Sequence, residues 1–324
     1  MPARLTNSCW INPFKINVGN LQPQIAIVTD DPGWHGRELT TALEHHGLGA
    51  HYLSLTECQF AFDDSGLMVR MPGFEHKLPL GVFVRGVPGG SLEQVIFRLD
   101  ILHALVSLGI VVYNDSRAIE RTVDKAMTTL LLKQAGIPTP NTWVFESTEK
   151  ALAICNAEFA RGQSLVFKPV FGSQGEGVRL LTRDTGLVTD EQFAGLYYLQ
   201  TFVDRGTNDW FDLRVFVIDG KARAAMRRQG KSWITNRAQG AKCESQVLDA
   251  GLAQIAEDAV RAIGIDYAGV DLIPDAGGQL QVLEVNGVPA WWGLQSVTDL
   301  NIAGCLIEHF LRRIGRTRVL SAVP

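Results

Sequence analysis

Val270-Asp271-Leu272-Ile273-Pro274-Asp275-Ala276-Gly277-Gly278-Gln279-Leu280-Gln281-Val282-Leu283-Glu284-Val285-Asn286 reads as two short apolar strands around a turn. A two-residue turn at Gly277-Gly278, a favoured hairpin turn, sets Asp271 opposite Glu284. Asn286 lies two residues beyond Glu284, and side-chain alternation along a strand puts it on the same face. Three oxygen-bearing side chains then converge among Leu, Ile and Val. Two carboxylates in such surroundings repel each other and carry a heavy desolvation cost, so a cation must lie between them. Oxygen ligands without His or Cys favour Mg²⁺ or Mn²⁺ over Zn²⁺, and Mg²⁺ commonly completes its shell with substrate phosphates. The competing reading pairs Asp271 and Glu284 with Arg or Lys from elsewhere, or lengthens the turn and slips the register.

Upstream, Phe167-Lys168-Pro169 and then Phe171-Gly172-Ser173-Gln174-Gly175-Glu176-Gly177 form a strand ending in Lys and a loop with three glycines. Glycines let backbone N–H groups approach phosphate oxygens, and a strand-borne Lys adds a point charge. This is no Walker A loop, because GK[ST] is absent; alone, such a segment is more often a plain turn.

The remaining pattern alternates strand and helix: strands at Ile25 to Thr29, His51 to Leu55, Val82 to Arg85 and Val111 to Asn114, helices at Gly36 to His46 and Leu92 to Leu108, and a hairpin around Met68 to Lys77. Alternation of this kind implies a small parallel sheet, and this one lacks the GxGxxG turn of a dinucleotide fold. Thr29-Asp30-Asp31 and Arg85 fall at strand ends, where such sheets bind ligands and where surface turns look the same. Asn114-Asp115-Ser116 reads as a linker into a capped helix, with Lys125 to Gln134 helical and Gly136 stopping it. The expected division is an extension at 1–23, an α/β domain at 24–114, a central lobe at 115–195 and a C-terminal lobe at 196–324.

A chain of 324 residues suits two or three lobes around a cleft, and its net charge of −4 gives no global drive toward nucleic acid or anionic membrane. The five cysteines are odd in number and lack CxxC spacing, which suits reduced thiols. Met1 to Pro23 has no apolar core of a secretion signal, and the run Ile101 to Tyr113 is too short to span a bilayer, so a cytoplasmic location is expected. His35, His45, His46, His51, His76, His103 and His309 show no ligand spacing and read as structural.

The ordered set of Asp124-Lys125, Gly136-Ile137-Pro138, the Lys168 strand with its Gly-Ser-x-Gly-x-Gly loop, Leu199 to Val203, Asp212 to Val217, Ala225 to Arg228, Trp233 to Asn236 and the Asp271/Glu284/Asn286 hairpin resembles the ATP-grasp superfamily. Within it the chain resembles the RimK-type amino-acid ligases, over about Asp115 to Phe310. That resemblance implies an α/β ATP-grasp fold with an N-terminal parallel-sheet domain, and ATP with two Mg²⁺ ions.

By the same resemblance Lys125 and Lys168 hold ATP phosphates under the loop containing Gly172, Ser173, Gln174, Gly175 and Gly177. Gln200, Thr201, Phe202 and Val203 form the adenine hinge, although relatives often carry Glu where Thr201 stands. Asp212 reaches the ribose, and Asp271, Glu284 and Asn286 bind the metals. Strand alternation sets Arg214 on the face of Asp212; with Arg228 and Asn236 it is the candidate for stabilising charge on the transferring phosphoryl group, while Arg227 turns to the other face. Asn236-Arg237-Ala238-Gln239-Gly240-Ala241 departs from the Gly-Gly of relatives.

The implied reaction activates a carboxylate as an acyl phosphate, which an amine then attacks to give an amide, ADP and phosphate. The Arg85-Gly86-Val87-Pro88 stretch and the Pro289-Ala290-Trp291-Trp292 stretch resemble the tetrahydromethanopterin:glutamate ligase branch, so the expected partners are a small-molecule carboxylate and L-glutamate. The Trp pair could stack on a flat ring or be core packing. Ligases acting on a carrier-protein or ribosomal-protein tail, and a non-catalytic ATP-binding module, are the alternatives. RimK-type relatives often assemble as homo-oligomers.

Overall fold

A computed structural model of the chain describes residues 23–64, 66–172, 175–187, 195–206 and 209–321. The expected extension lies almost wholly outside them, as do Ser173 and Gln174.

The N-terminal domain runs β1 (Pro23–Val28), α1 (Gly33–His45), β2 (Gly49–Leu53), β3 (Gln59–Asp63), β4 (Gly66–Arg70), β5 (Gly81–Val84), α2 (Leu92–Ser107) and β6 (Val111–Tyr113). Its parallel sheet has the order β2-β1-β5-β6, as the strand–helix alternation implies. The hairpin is β3–β4, and it lies upstream of the expected Met68 to Lys77. Ser91 and Gln94 form a reciprocal capping box that starts α2.

Two short helices follow, α3 (Ser116–Val123) and α4 (Lys125–Gln134). The side chain of Asp124 accepts from the N–H groups of Ala126 and Met127, which fixes the start of α4 and with it the position of Lys125. The supposed linker residue Asn114 is buried instead. Its Nδ2 donates to the Tyr267 and Gly287 carbonyls, and its Oδ1 accepts from Asp266 and Tyr267, so it bolts the first domain to the last.

The central lobe contains β7 (Thr142–Phe145), α5 (Thr148–Ala160), β8 (Leu165–Lys168), β9 (Arg179–Leu181) and β10 (Tyr197–Thr201), in an antiparallel sheet of order β7-β10-β8-β9. Strand β10 lies between β7 and β8, so the central lobe extends past the expected boundary at 195/196 to Thr201.

The C-terminal lobe contains β11 (Phe211–Ile218), β12 (Lys221–Gln229), β13 (Lys242–Gln246), α6 (Ala250–Ile263), β14 (Tyr267–Pro274), β15 (Leu280–Asn286), α7 (Trp292–Gln295) and α8 (Ile302–Ser321). Its antiparallel sheet runs β13-β12-β11-β14-β15. Alternation divides the sheet cleanly: Val215, Val217 and Val270 pack on α6, while Phe216, Met226 and Tyr267 join a core with α1, α8 and the parallel sheet. Tyr113 of β6 stacks on Tyr267 of β14 with ring centroids 5.0 Å apart, within that shared core.

Candidate active site

The deciding hairpin pairs as expected at its functional end and differently at its turn. Asp271 is opposite Glu284 and Gly269 is opposite Asn286. The turn, however, is not the two-residue Gly277-Gly278 form. Asp275 N–H donates to the Gln279 carbonyl and its side chain accepts from Gly277 and Gln279, which closes a longer loop. That loop shifts the register of Leu272, Ile273 and Pro274, and a bulge after Asp271 shifts it back. The two departures cancel at the carboxylates.

The same face of the sheet carries a row of cross-strand charge pairs. Arg214 is opposite Asp271, and Asp212 is opposite Arg228. Arg214 donates to both Asp271 oxygens, at 2.6 Å from Nε and 2.7 Å from Nη2. Arg228 donates from Nε to Asp212 at 2.7 Å, pairs a second time with that carboxylate through Nη2, and also lies 2.9 Å from Asp271. All four side chains are buried, the least so being Arg214 at 8% exposed.

Burial opposes ionisation of Asp271, yet Arg214 and Arg228 hold its carboxyl below the ordinary range. Asp212 is pushed up by burial despite Arg228 and a hydrogen bond from Thr235. The two arginines expected at the transferring phosphate are therefore committed to carboxylates, and Asp212 is committed to Arg228. Glu284 has no ion-pair partner among the described residues.

Facing this row is the central lobe. Lys168 ends β8 and donates to Gln200 Oε1 at 2.6 Å; Gln200 is 2% exposed and passes bonds on to Thr142 and Tyr198. Burial pushes the Lys168 ammonium down to about 8, Glu284 and Asp271 opposing and Lys125 assisting. Lys125, also lowered by burial, donates to the Gly172 carbonyl at 2.7 Å. Gly175 has φ +79°, and a Cβ there would meet Asn236 Oδ1 at 3.0 Å, so the loop approaches Asn236 as only glycine allows.

These groups line one cleft between the central and C-terminal lobes, with a narrow interior of about 140 Å³ that opens to solvent. It brings together Lys125, Lys168, Gly172, Gly175, Gln200, Thr201, Phe202, Val203, Asp212, Arg228, Asn236, Asp271 and Glu284. Gly177 and Arg214 are not on its wall, although Glu176 and Val178 are. In the expected hinge, Thr201 and Phe202 already give their N–H groups to Asn141 and Ser164. Thr201 Oγ1 is buried without a partner.

A second, larger chamber of about 690 Å³ adjoins the first, sharing Gly172, Arg228, Asn236 and Glu284 with it and containing Asn286 and Arg214. Its wall holds His35, which the sequence reads as structural, and Arg237, which the sequence places in the stretch that departs from relatives without giving it a role, together with Trp292. His35 comes from α1, and its Nε2 accepts from the N–H groups of Trp291 and Trp292 at 3.1 and 3.3 Å. Burial, then Arg85 and Arg237, push the imidazole down to about 4, so the ring is neutral near pH 7. The Trp pair divides: Trp291 is fully buried, whereas Trp292 is 43% exposed on the chamber wall.

Other strand-end candidates are absorbed by structure. Arg85 donates to the Pro289 carbonyl and lies over Trp291, Asp30 accepts from Ser54, and Thr29 bonds with Asp31. Arg227 points away to Asp209 and Gln229, as alternation implies. Among the described residues no three His, Cys, Asp or Glu side chains cluster as a metal site, and no helix is long and apolar enough to cross a membrane.

The profile of the RimK-like ATP-grasp domain matches residues 122–310. The tetrahydromethanopterin:alpha-L-glutamate ligase of Methanosarcina acetivorans is 31% identical over 319 residues, covering 87% of this chain and 96% of that protein. The protein of the same name from Methanocaldococcus jannaschii is 34% identical over 240 residues, covering 72% of this chain and 79% of its own. Among solved structures, the ATP-grasp ligase PsnB, complexed with a phosphomimetic variant of its minimal precursor, Mg and ADP, superimposes with a TM-score of 0.70. That match covers 91% of this chain and 100% of PsnB at 20% identity, and it bears on the fold alone.

Proposed function

The chain belongs to the RimK-like ATP-grasp family of ligases, and from that premise we propose that it joins L-glutamate to a carboxylate of a small-molecule cofactor of the tetrahydromethanopterin type, consuming ATP. The observation that carries this reading is the junction of the two chambers at Glu284, Arg228, Asn236 and Gly172. A nucleotide in the smaller chamber and an acid in the larger one would present their reacting groups to the same four residues.

The residues fit the nucleotide. The orphaned Thr201 Oγ1 offers a hydrogen bond to a purine edge, and the Val203 N–H has no acceptor among the described residues. Lys125 and Lys168 would exchange the Gly172 carbonyl and Gln200 for phosphate oxygens, and phosphate would favour the charged form of Lys168 that burial disfavours.

The residues also fit a divalent cation. Glu284 forms no ion pair among the described residues, although Lys125 and Lys168 lie near enough to feel its charge, and the hairpin offers only oxygen donors, which suits Mg²⁺. Glu284, Asn286 and Asp271 would hold it, and it would neutralise charge on the phosphates. With two carboxylates and an amide from the protein, the rest of its shell would come from phosphate and water.

A carboxylate becomes electrophilic when γ-phosphoryl transfer turns its oxygen into part of a phosphate leaving group. Arg228 and Asn236 stand at the junction where charge would develop, and Arg228 stays fixed there by Asp212. Arg214 is assigned to holding Asp271 in place. A neutral amine then displaces phosphate and gives the amide.

The test is ADP release by the purified chain with ATP, Mg²⁺ and L-glutamate across a panel of acids that includes a reduced pterin carrier and glutamate-ended peptides. Release that depends on the pterin acid, with a product heavier by one glutamyl unit, supports the reading. Release with peptides alone would replace the small-molecule acid by a protein tail.

A further inference from the structure

Arg237 begins a single 3₁₀ turn, Arg237–Gln239, that follows Asn236. Its guanidinium lies 3.7 Å over the centre of the Trp292 ring on the wall of the larger chamber. A guanidinium stacked on an indole keeps its in-plane N–H fork free for a planar anion while its own motion is restrained. Arg237 pairs with no carboxylate among the described residues, unlike Arg214, Arg227 and Arg228.

The stack is built, not incidental. Gly293 follows Trp292, and a Cβ there would meet Arg237 Cδ at 2.9 Å and Cys243 Sγ at 2.8 Å. A larger residue at 293 would force Arg237 or Cys243 to shift from these positions. The same chamber wall carries a second open donor. The Trp291 and Trp292 N–H groups occupy His35 Nε2, which puts the proton of the neutral ring on Nδ1, and no acceptor for it is found among the described residues.

We propose that Arg237, held flat by Trp292 on the chamber wall it shares with His35, is the receptor for a carboxylate that takes no part in bond formation, and so sets the preference of this site for dicarboxylic substrates. The inference rests on the ligase reading for its chemistry but not for its test. The carboxylate could belong to the incoming glutamate or to the acceptor acid. Either source presents the planar anion that the fork fits.

Isothermal titration of the full chain, saturated with a non-hydrolysable ATP analogue and Mg²⁺, decides it with two probes: L-glutamate, and glutarate as a dicarboxylate without an amine. The wild-type chain should bind at least one saturably. Arg237→Gln should weaken that binding at least tenfold, Arg237→Lys and Trp292→Leu about threefold, all with unchanged affinity for the analogue. An effect on L-glutamate alone assigns the carboxylate to the amine substrate; an effect on glutarate as well assigns it to a general dicarboxylate subsite.

The proposal is overturned if Arg237→Gln binds both probes as the wild type does, if the wild type binds the analogue but neither probe, or if Arg237→Gln loses the analogue too. A chain that binds a dicarboxylate through Arg237 yet releases no ADP with any acid would leave this inference standing and sink the ligase reading.

Discussion

Arg214 on β11 and Asp271 on β14 are cross-strand partners, and the arginine's fork closes on both carboxylate oxygens within the buried face of the sheet. Removing one member of a buried pair strands the other charge, at about 3–5 kcal/mol. Arg214→Leu should therefore lower unfolding free energy by about 3 kcal/mol in urea titration, the second contact from Arg228 sparing part of the loss. Arg227→Ala, which breaks the half-exposed pair with Asp209, should cost less than about 1 kcal/mol. Equal losses would contradict the division of roles between the two faces of the sheet.

The Lys168 ammonium, lowered by burial to about 8, gives a signed pH effect on nucleotide binding. Phosphate favours the charged form, so the bound complex holds the proton to higher pH than the free chain, and affinity falls as pH rises above about 8. ATP-analogue binding should weaken roughly tenfold from pH 7 to pH 9, since each pH unit beyond the pKa is tenfold. In Lys168→Arg the guanidinium stays charged and the slope should vanish; a slope that persists would assign the titration elsewhere.

His35 titrates with the opposite consequence for the fold. Its folded pKa of about 4 lies below the unfolded 6.5, so the unfolded chain binds more protons between these values. The stability tied to neutral His35 is complete above about pH 6.5 and is lost as pH falls toward 4. The change should be on the order of 1–2 kcal/mol, discounted for the partial exposure of the ring. Urea midpoints measured from pH 7 to pH 4 should show it in the wild type, and His35→Gln should flatten the curve.

Glu284, paired across the hairpin with Asp271 and near both lysines, is one of the proposed metal ligands. Glu284→Gln should raise the Mg²⁺ concentration for half-maximal ADP release at least tenfold while the melting temperature stays within a few degrees of wild type. Unaltered Mg²⁺ dependence would remove Glu284 from the ligand set. Lys125→Ala, which frees the Gly172 carbonyl and takes a charge from the proposed nucleotide chamber, should raise the ATP requirement about tenfold without unfolding the chain.

Much of the fold was legible because its signals are local. Strand and helix alternation to Tyr113 set the parallel sheet, and Asn114-Asp115-Ser116 marks the capped start of α3, where Asp115 accepts from the Arg117 N–H. Asp271 pairs with Glu284 as alternation from a two-residue turn predicts, even though the turn is longer, because the longer turn and the bulge offset each other. Contacts distant in sequence were harder. Alternation puts Arg214 on the face of Asp212, but the registers that give Arg214 to Asp271 and Arg228 to Asp212 depend on which strands become neighbours. The β7 and β13 strands, short and half-buried, carried too little apolar periodicity to stand out. His35 was invisible as a chamber residue because its meaning lies in backbone N–H groups more than two hundred and fifty positions away.

The central claim, that the acid is activated by taking the γ-phosphoryl group of ATP, is tested most directly by following oxygen. With an acid carrying ¹⁸O in its carboxylate, the ligase reading requires one labelled oxygen to leave in inorganic phosphate for each amide formed, with ADP as the other product. Phosphate free of label, or label recovered in AMP, would contradict it.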